Sequence, residues 1–370
     1  MLERIIREKI EKEGAIPFEA FMDYALYHPD LGYYMTDTFR IGPRGDFYTA
    51  PHLHPIFGWL LALQLEEMKH IAGDPDDFTI LEIGSGRGYL AEGILDFIQK
   101  NLKWKGNWRY VIVERNVHTV KDQQKLLERH KDRVTWKASL AEVDRFRGCI
   151  LSNELLDAFP VHRVVMQDRF REIYVAADEK GFMEVCRDLS TPEVATYIAK
   201  YRLPEIKGYR TEINLRIKDF LTRANAVLSE GFIVSIDYGY SARRYYAAER
   251  NKGTLLCYSR HTLNENPYLN PGVQDITAHV NFTSLKDWGE DLGLKAIGYC
   301  PQGTFLASLG IGDVVSRELE GRPGFEREFL KIKTLLFGMG ESHDVMIQYK
   351  GEDDIQRLKG FELKNRITTL

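Results

Sequence analysis

The spacing of apolar residues changes period along this chain of 370 residues. Between Ile16 and Tyr27, the residues Phe18, Phe21, Met22, Ala25 and Leu26 recur at helical intervals, with Pro17 suited to a first turn. A stripe of this kind is a core-packing face. A second helix is predicted over about 56–71, carrying Trp59, Leu60, Leu63 and Met68. From Phe78 the rhythm alternates. Strand-like runs at Thr79–Ile83, Tyr110–Val113, Val134–Trp136, Cys149–Ser152 and Phe232–Ile236 are separated by helical patterns, notably Tyr89–Lys100 and Val117–His130. Two late strands are predicted at Leu294–Cys300 and Val345–Tyr349. Alternation of this kind predicts a parallel sheet covered by helices, an α/β, Rossmann-like doubly wound fold.

The pattern divides the chain. Residues 1–75 read as an N-terminal helical and loop region, with Gly-, Pro- and aromatic-rich loops at His28–Tyr34 and Gly42–Pro51. The sheet core takes 76–160, 216–240 and 284–350. Residues 161–215 and 241–283 exceed what the minimal fold needs. They are expected to be a substrate-side insertion and an ordered lid, because long loops in compact domains are mostly functional. Residues 351–370 form a tail.

Composition narrows the class. Lys+Arg of 50 against Asp+Glu of 54 gives a net charge of -4, so the broad basic footprint of a nucleic-acid binder is absent. Four cysteines without a CxxC pair predict a reducing compartment, no disulfide framework and no structural zinc. The charge-alternating start has no signal-peptide character, and no run is long enough to span a membrane. The expectation is a cytoplasmic protein.

Candidate chemistry begins at Glu82-Ile-Gly84-Ser85-Gly86-Arg-Gly88, where an apolar strand gives way to a helix. A nicotinamide fingerprint requires a small residue where Tyr89 stands and an acid about 20 residues on, whereas Glu114 lies further away. No Gly-Lys-Ser/Thr follows, which excludes a phosphate-binding P-loop. The remaining pattern, E-x-G-x-G-x-G, is that of S-adenosyl-L-methionine sites. Glu82 suits the cationic end of that ligand, the loop amides suit its carboxylate, and Glu114 suits its ribose hydroxyls. The whole is then a class I methyltransferase fold.

The fourth strand ends in Ser152-Asn153-Glu154-Leu-Leu-Asp157-Ala-Phe-Pro160. It lacks the Asn/Asp-Pro-Pro-aromatic segment of nucleobase amino-methylating enzymes and the Pro-Cys of cytosine C5 enzymes. It offers carboxylates instead. Glu154, Asp157 and the strand-five Asp237 are the acids that could grip a guanidinium in line with the donor. Acids here would equally suit the start of a following helix. His279 is a candidate base or a structural hydrogen-bonding group. His52 and His54 form an H-x-H pair with no partner at ligand spacing, and no metal is expected.

Several segments together resemble the MidA-like methyltransferases, whose mitochondrial member is a protein arginine methyltransferase required for respiratory complex I assembly. They are His28-Pro-Asp-Leu-Gly-Tyr-Tyr, Gly45-Asp-Phe-Tyr-Thr-Ala-Pro, Leu81-Glu-Ile-Gly-Ser-Gly-Arg-Gly, Ser152 through His162, Ile236-Asp-Tyr-Gly-Tyr and Asn270 through Val280. The resemblance implies S-adenosyl-L-methionine as donor and a protein arginine as acceptor. It places Thr49, Pro51, Glu82, Gly84, Gly86, Glu114, Asn153 and Glu154 among cofactor and active-site motifs. His52, His54 and Asn281 depart from the family's usual Glu, Ser and Asp, which removes two carboxylates from the expected pocket. A methyltransferase acting on protein arginine leads. A cofactor-binding assembly factor without turnover and a small-molecule O- or N-methyltransferase are the alternatives. Oligomeric state is not readable.

Overall fold

The computed structural model describes residues 1–36, 49–259, 262–355 and 357–370. It comprises two compact units. One consists of Tyr48–Leu155, Leu221–Gly239 and Ser284–Leu370, the other of Met1–Phe47, Leu156–Phe220 and Tyr240–Thr283.

The first unit is built on seven strands: β1 (Thr79–Ile83), β2 (Arg109–Val113), β3 (Val134–Lys137), β4 (Phe146–Asn153), β5 (Leu228–Tyr240), β6 (Lys295–Pro301) and β7 (His343–Lys350). Their order across the sheet is β6-β7-β5-β4-β1-β2-β3. Pairings among β1 to β5 are parallel, and β7 runs antiparallel to both β5 and β6. Every expected strand is present; β1 matches, β6 is shifted by one residue, and the others are each extended by a residue or more. Every residue of β1 is buried, as a strand covered by helices on both faces must be. Helix Ile56–Ile71 packs against helix Tyr89–Phe97, and a Cβ at Gly58 would meet the Gly93 backbone at 3.0 Å, so the crossing requires glycine. Phe57, Phe78, Tyr110, Phe232, Phe305 and Phe361 are among the buried side chains of this core.

The second unit carries a five-stranded antiparallel sheet (Ile16–Pro17, Phe170–Asp178, Gly181–Arg187, His162–Met166, Arg210–Ile213) and a three-stranded one (Leu256–Ser259, Thr262–Asn264, Asp275–Thr277). The stripe on helix Phe18–Tyr27 is core as expected: Phe18, Phe21, Met22, Ala25 and Leu26 are fully buried. Helix Leu2–Glu13 buries Leu2, Ile6 and Ile10 in the same cluster.

Candidate active site

β1 ends at Ile83, and the chain turns through a loop into helix Tyr89–Phe97. Gly84, Gly86 and Gly88 have φ of 69°, 53° and 85°, left-handed values that a Cβ disfavours. A Cβ on Gly84 would also lie 2.9 Å from Leu155 Cδ1. The loop is tied down by the Gly84 N–H on the Val113 carbonyl (3.1 Å) and the Gly88 N–H on the Ser85 carbonyl (2.8 Å). A further brace comes from Gln123, which is fully buried. Its Nε2 donates to the Gly86 carbonyl at 2.8 Å, and its Oε1 accepts from Trp136 Nε1 at 2.9 Å. A glutamine inside a helix carries no motif, so sequence reasoning missed it.

Glu82 is 2% exposed. Burial pushes its carboxyl up to about 7, opposed by hydrogen bonds from Tyr110 and Ser85 and reinforced by the charge of Glu114. Tyr110 Oη donates to Glu82 Oε2 at 2.7 Å. Among the described residues, no cation contributes to these surroundings. A buried acid of this kind fits a cationic ligand, which would supply the missing counter-charge. Glu114 follows β2. Burial raises its carboxyl, while backbone amides of Asn116 and Arg115 oppose the rise. Its Oε1 accepts from the Asn116 N–H at 2.9 Å.

The carboxyl end of β4 is unusual in its backbone. Glu154 has φ of 49°, a strained value for a side chain of its size, and its N–H donates to the Ile236 carbonyl at 2.9 Å. Residues 154–160 form turns, so the helix-start explanation for these acids does not apply. Glu154 Oε1 accepts from Asn153 Nδ2 at 3.3 Å and lies 3.6 Å from His343 Nε2. Asn153 Oδ1 is buried and has no hydrogen-bond partner among the described residues. Asp237 is 1% exposed, and its carboxylate accepts the Leu155 N–H (3.2 Å) and the Tyr238 N–H (3.0 Å), locking the ends of β4 and β5 together.

Thr49 and Pro51 open the described chain beside this region, while Gly42–Tyr48 lie outside the described residues. Thr49 Oγ1 and His52 Nδ1 are 2.6 Å apart, and the His52 ring meets Tyr89 edge-on at 4.9 Å. Burial depresses the His52 pKa to about 4; Glu154 pulls against this and Arg87 adds to it. His54 accepts the Ile56 N–H at Nδ1 (3.0 Å) and is likewise lowered to about 4, chiefly by burial. The two histidines thus serve different neighbours. Among the described residues, no group of three or more His, Cys, Asp or Glu could hold a metal.

Asp157 and His279 belong to the second unit, Glu154 and Asp237 to the first. The Asp157 carbonyl accepts the Ala278 N–H at 2.9 Å. The His279 ring stacks on Tyr240 (5.2 Å, 9°), and its N–H donates to Thr254 Oγ1 at 3.0 Å. Asn281 has a clear structural task. Its Oδ1 accepts the Thr283 N–H at 3.0 Å, capping helix Phe282–Asp291, and its Nδ2 donates to Tyr197 Oη at 2.7 Å.

The sheet order with its reversed β7, and a buried acid in β1 before a glycine loop, are those of a class I S-adenosyl-L-methionine-dependent methyltransferase. Residues 60–300 match the family model described as "Putative S-adenosyl-L-methionine-dependent methyltransferase", and the chain belongs to that family. Its structure is similar to a Burkholderia thailandensis protein crystallised with S-adenosyl-homocysteine, with a TM-score of 0.92 and 32% identity over 100% of this chain and 96% of that one. A native structure from the same organism gives 0.88 and 31% over the same shares. Curated relatives include the protein arginine methyltransferase NDUFAF7 homolog of Drosophila melanogaster, 28% identical over 82% of this chain and 74% of that protein. NDUFAF7 of Homo sapiens is 25% identical over 83% and 73%. The chain is an enzyme that uses S-adenosyl-L-methionine as methyl donor.

The cytoplasmic expectation is corrected by these relatives, which are mitochondrial proteins. It rested on the cysteine pattern, on the want of a membrane-spanning run and on the charge alternation of the first residues. That alternation marks the exposed side of helix Leu2–Glu13, whose Leu2, Ile6 and Ile10 are buried; it reports packing and carries no address.

Proposed function

We propose that the methyl acceptor is an arginine side chain of a protein. The observation that carries this reading is the end of β4, where the Glu154 carboxylate and the unpartnered Asn153 Oδ1 stand side by side. Both are acceptor oxygens, and a guanidinium is a planar fork of donors. The names of the animal relatives support the same acceptor.

S-Adenosyl-L-methionine, when bound, supplies an electrophilic methyl group on a sulfonium. Glu82 answers its positive end, the amides of Ser85 and Gly86 its carboxylate, and Glu114 its ribose, while Gly84 and Gly88 give the loop its turn; Thr49, Pro51 and Asn153 complete the cradle. Glu154 orients the acceptor nitrogen in line with that methyl group, and the geometric alignment is the main source of rate. Asp237, engaged by two backbone amides, holds Glu154's strand in place. Labelling a mitochondrial extract with methyl-tritiated donor and purified enzyme, followed by acid hydrolysis and amino-acid analysis, tests the reading. Label in methylarginine is expected. Label confined to lysine or to small molecules would sink it.

A further inference from the structure

His343 has no task in the reaction as described so far. It opens β7, and the register sets it opposite Tyr238, with Asp344 opposite Asp237. The residue is wholly buried. Its Nδ1 lies 2.9 Å from the Met339 carbonyl and 3.1 Å from Ser342 Oγ. A carbonyl oxygen only accepts, so Nδ1 carries a proton. The other nitrogen, Nε2, faces Glu154 Oε1 at 3.6 Å and has no hydrogen-bond partner among the described residues. Were the ring neutral, its lone pair would point at a carboxylate oxygen, two acceptors opposed in a buried place. A proton on Nε2 converts that opposition into attraction.

The surroundings agree. The Tyr238 ring lies 3.8 Å from the imidazole, a π-face suited to a cation. Burial works against the charged ring, but the contact and charge of Glu154, the Met339 carbonyl and the charge of Asp237 outweigh it, so the pKa is raised. Of the other described titratable groups, His52 feels Glu154 and Arg87, and Asp344, next along β7, accepts the Tyr299 hydroxyl at 2.5 Å. A carboxylate left alone in such a place is costly, and the imidazolium offsets that cost.

We propose that His343 holds one proton beside Glu154 as a stand-in for the acceptor's positive charge, and that a cationic acceptor displaces this proton when it binds Glu154. The inference rests on Glu154 being the carboxylate that grips the acceptor. Once a guanidinium pairs with Glu154, the imidazolium becomes a like charge close by and gives up its proton, keeping the local charge constant. A neutral acceptor would release no proton. His343 is thus a positioning residue that acts through Glu154.

The test uses the full chain with 15N-labelled histidine, the His343 signal being assigned from H343Q. Wild type should show imidazolium at pH 7. E154Q should lower the midpoint by at least one unit, about a tenfold change in the protonation equilibrium. Calorimetric titration of the complex with S-adenosyl-homocysteine by ethylguanidinium, in two buffers of different ionisation heat, should release about one proton per site. H343Q should bind the same probe without release. An unchanged midpoint in E154Q, or saturable ethylguanidinium binding without proton release in wild type, overturns the proposal. Should the midpoint shift and the proton leave while extract labelling yields no methylarginine, the arginine reading fails by itself and the His343–Glu154 pair stands.

Discussion

At the scale of single residues, Glu82 ties pH to both folding and cofactor affinity. Its folded pKa of about 7 exceeds that of an exposed carboxyl, 4.5. The ligand-free protein therefore has this contribution in full below about pH 4.5 and loses it as pH rises through 7, by up to about 3 kcal/mol. A ligand that sets its ammonium group against Glu82 needs the ionised form, so affinity should fall roughly tenfold per unit below pH 7. E82Q separates the two effects. It should raise the melting temperature of the ligand-free protein at pH 8 yet weaken S-adenosyl-homocysteine binding. Calorimetry of both across pH 5.5–8.5 checks this, and a lower melting temperature for E82Q at pH 8 would refute it. Glu82, Glu114 and the glycines were legible because they sit in one short string at a strand end. Tyr110, Gln123 and His343 were not. Each acts on a residue 28 to 189 positions away, and only the fold sets that distance.

Among elements, the glycine loop depends on a helix that follows the next strand. Gln123, on helix Val117–Leu126, joins Trp136 on β3 to the Gly86 carbonyl. Q123A leaves that carbonyl and the indole N–H without their partner in a buried place, a cost of about 1–3 kcal/mol. The variant should lose that much stability in urea unfolding and bind S-adenosyl-homocysteine several-fold more weakly. Stability loss with unaltered affinity would mean the loop is set by its glycines alone. The core helices and strands were legible because their apolar periods are long and undisturbed. The hairpin Phe170–Asp178/Gly181–Arg187 was passed over as insertion. Its strands mix Glu, Arg and Met with apolar residues, because polar cross-strand pairs such as Glu172 opposite Arg187 lie along it. Its turn did carry a signal: Asp178 Oδ1 accepts the N–H groups of Lys180 (2.8 Å) and Gly181 (3.1 Å).

For the molecule as a whole, ligand binding and stability are one equilibrium. S-Adenosyl-homocysteine at about 100 times its Kd should stabilise the protein by about 2.7 kcal/mol. That shift in melting temperature should shrink from pH 8 to pH 6 as Glu82 takes up its proton; a pH-independent shift would exclude Glu82 from the ligand's counter-charge. Fold class was readable from strand rhythm and the glycine string. That residues 1–47, 156–220 and 240–283 fold together as one unit was not legible, because these stretches are separated in the chain. The placing of β7 has a further consequence, for the order in which the protein is made. β7 is the last strand of the sheet to be synthesised, yet it lies between β5 and β6, and all but one of its residues are buried. A nascent chain that has emerged only as far as residue 340 holds its glycine loop but exposes two apolar strand edges, and Glu154 is without His343. Such a chain is sticky, and its Glu154 carboxylate stands without the imidazolium that offsets its charge. A version ending at residue 340 should therefore pellet with chaperones attached when expressed, and a soluble, cofactor-binding product would show that the sheet closes without its final strand.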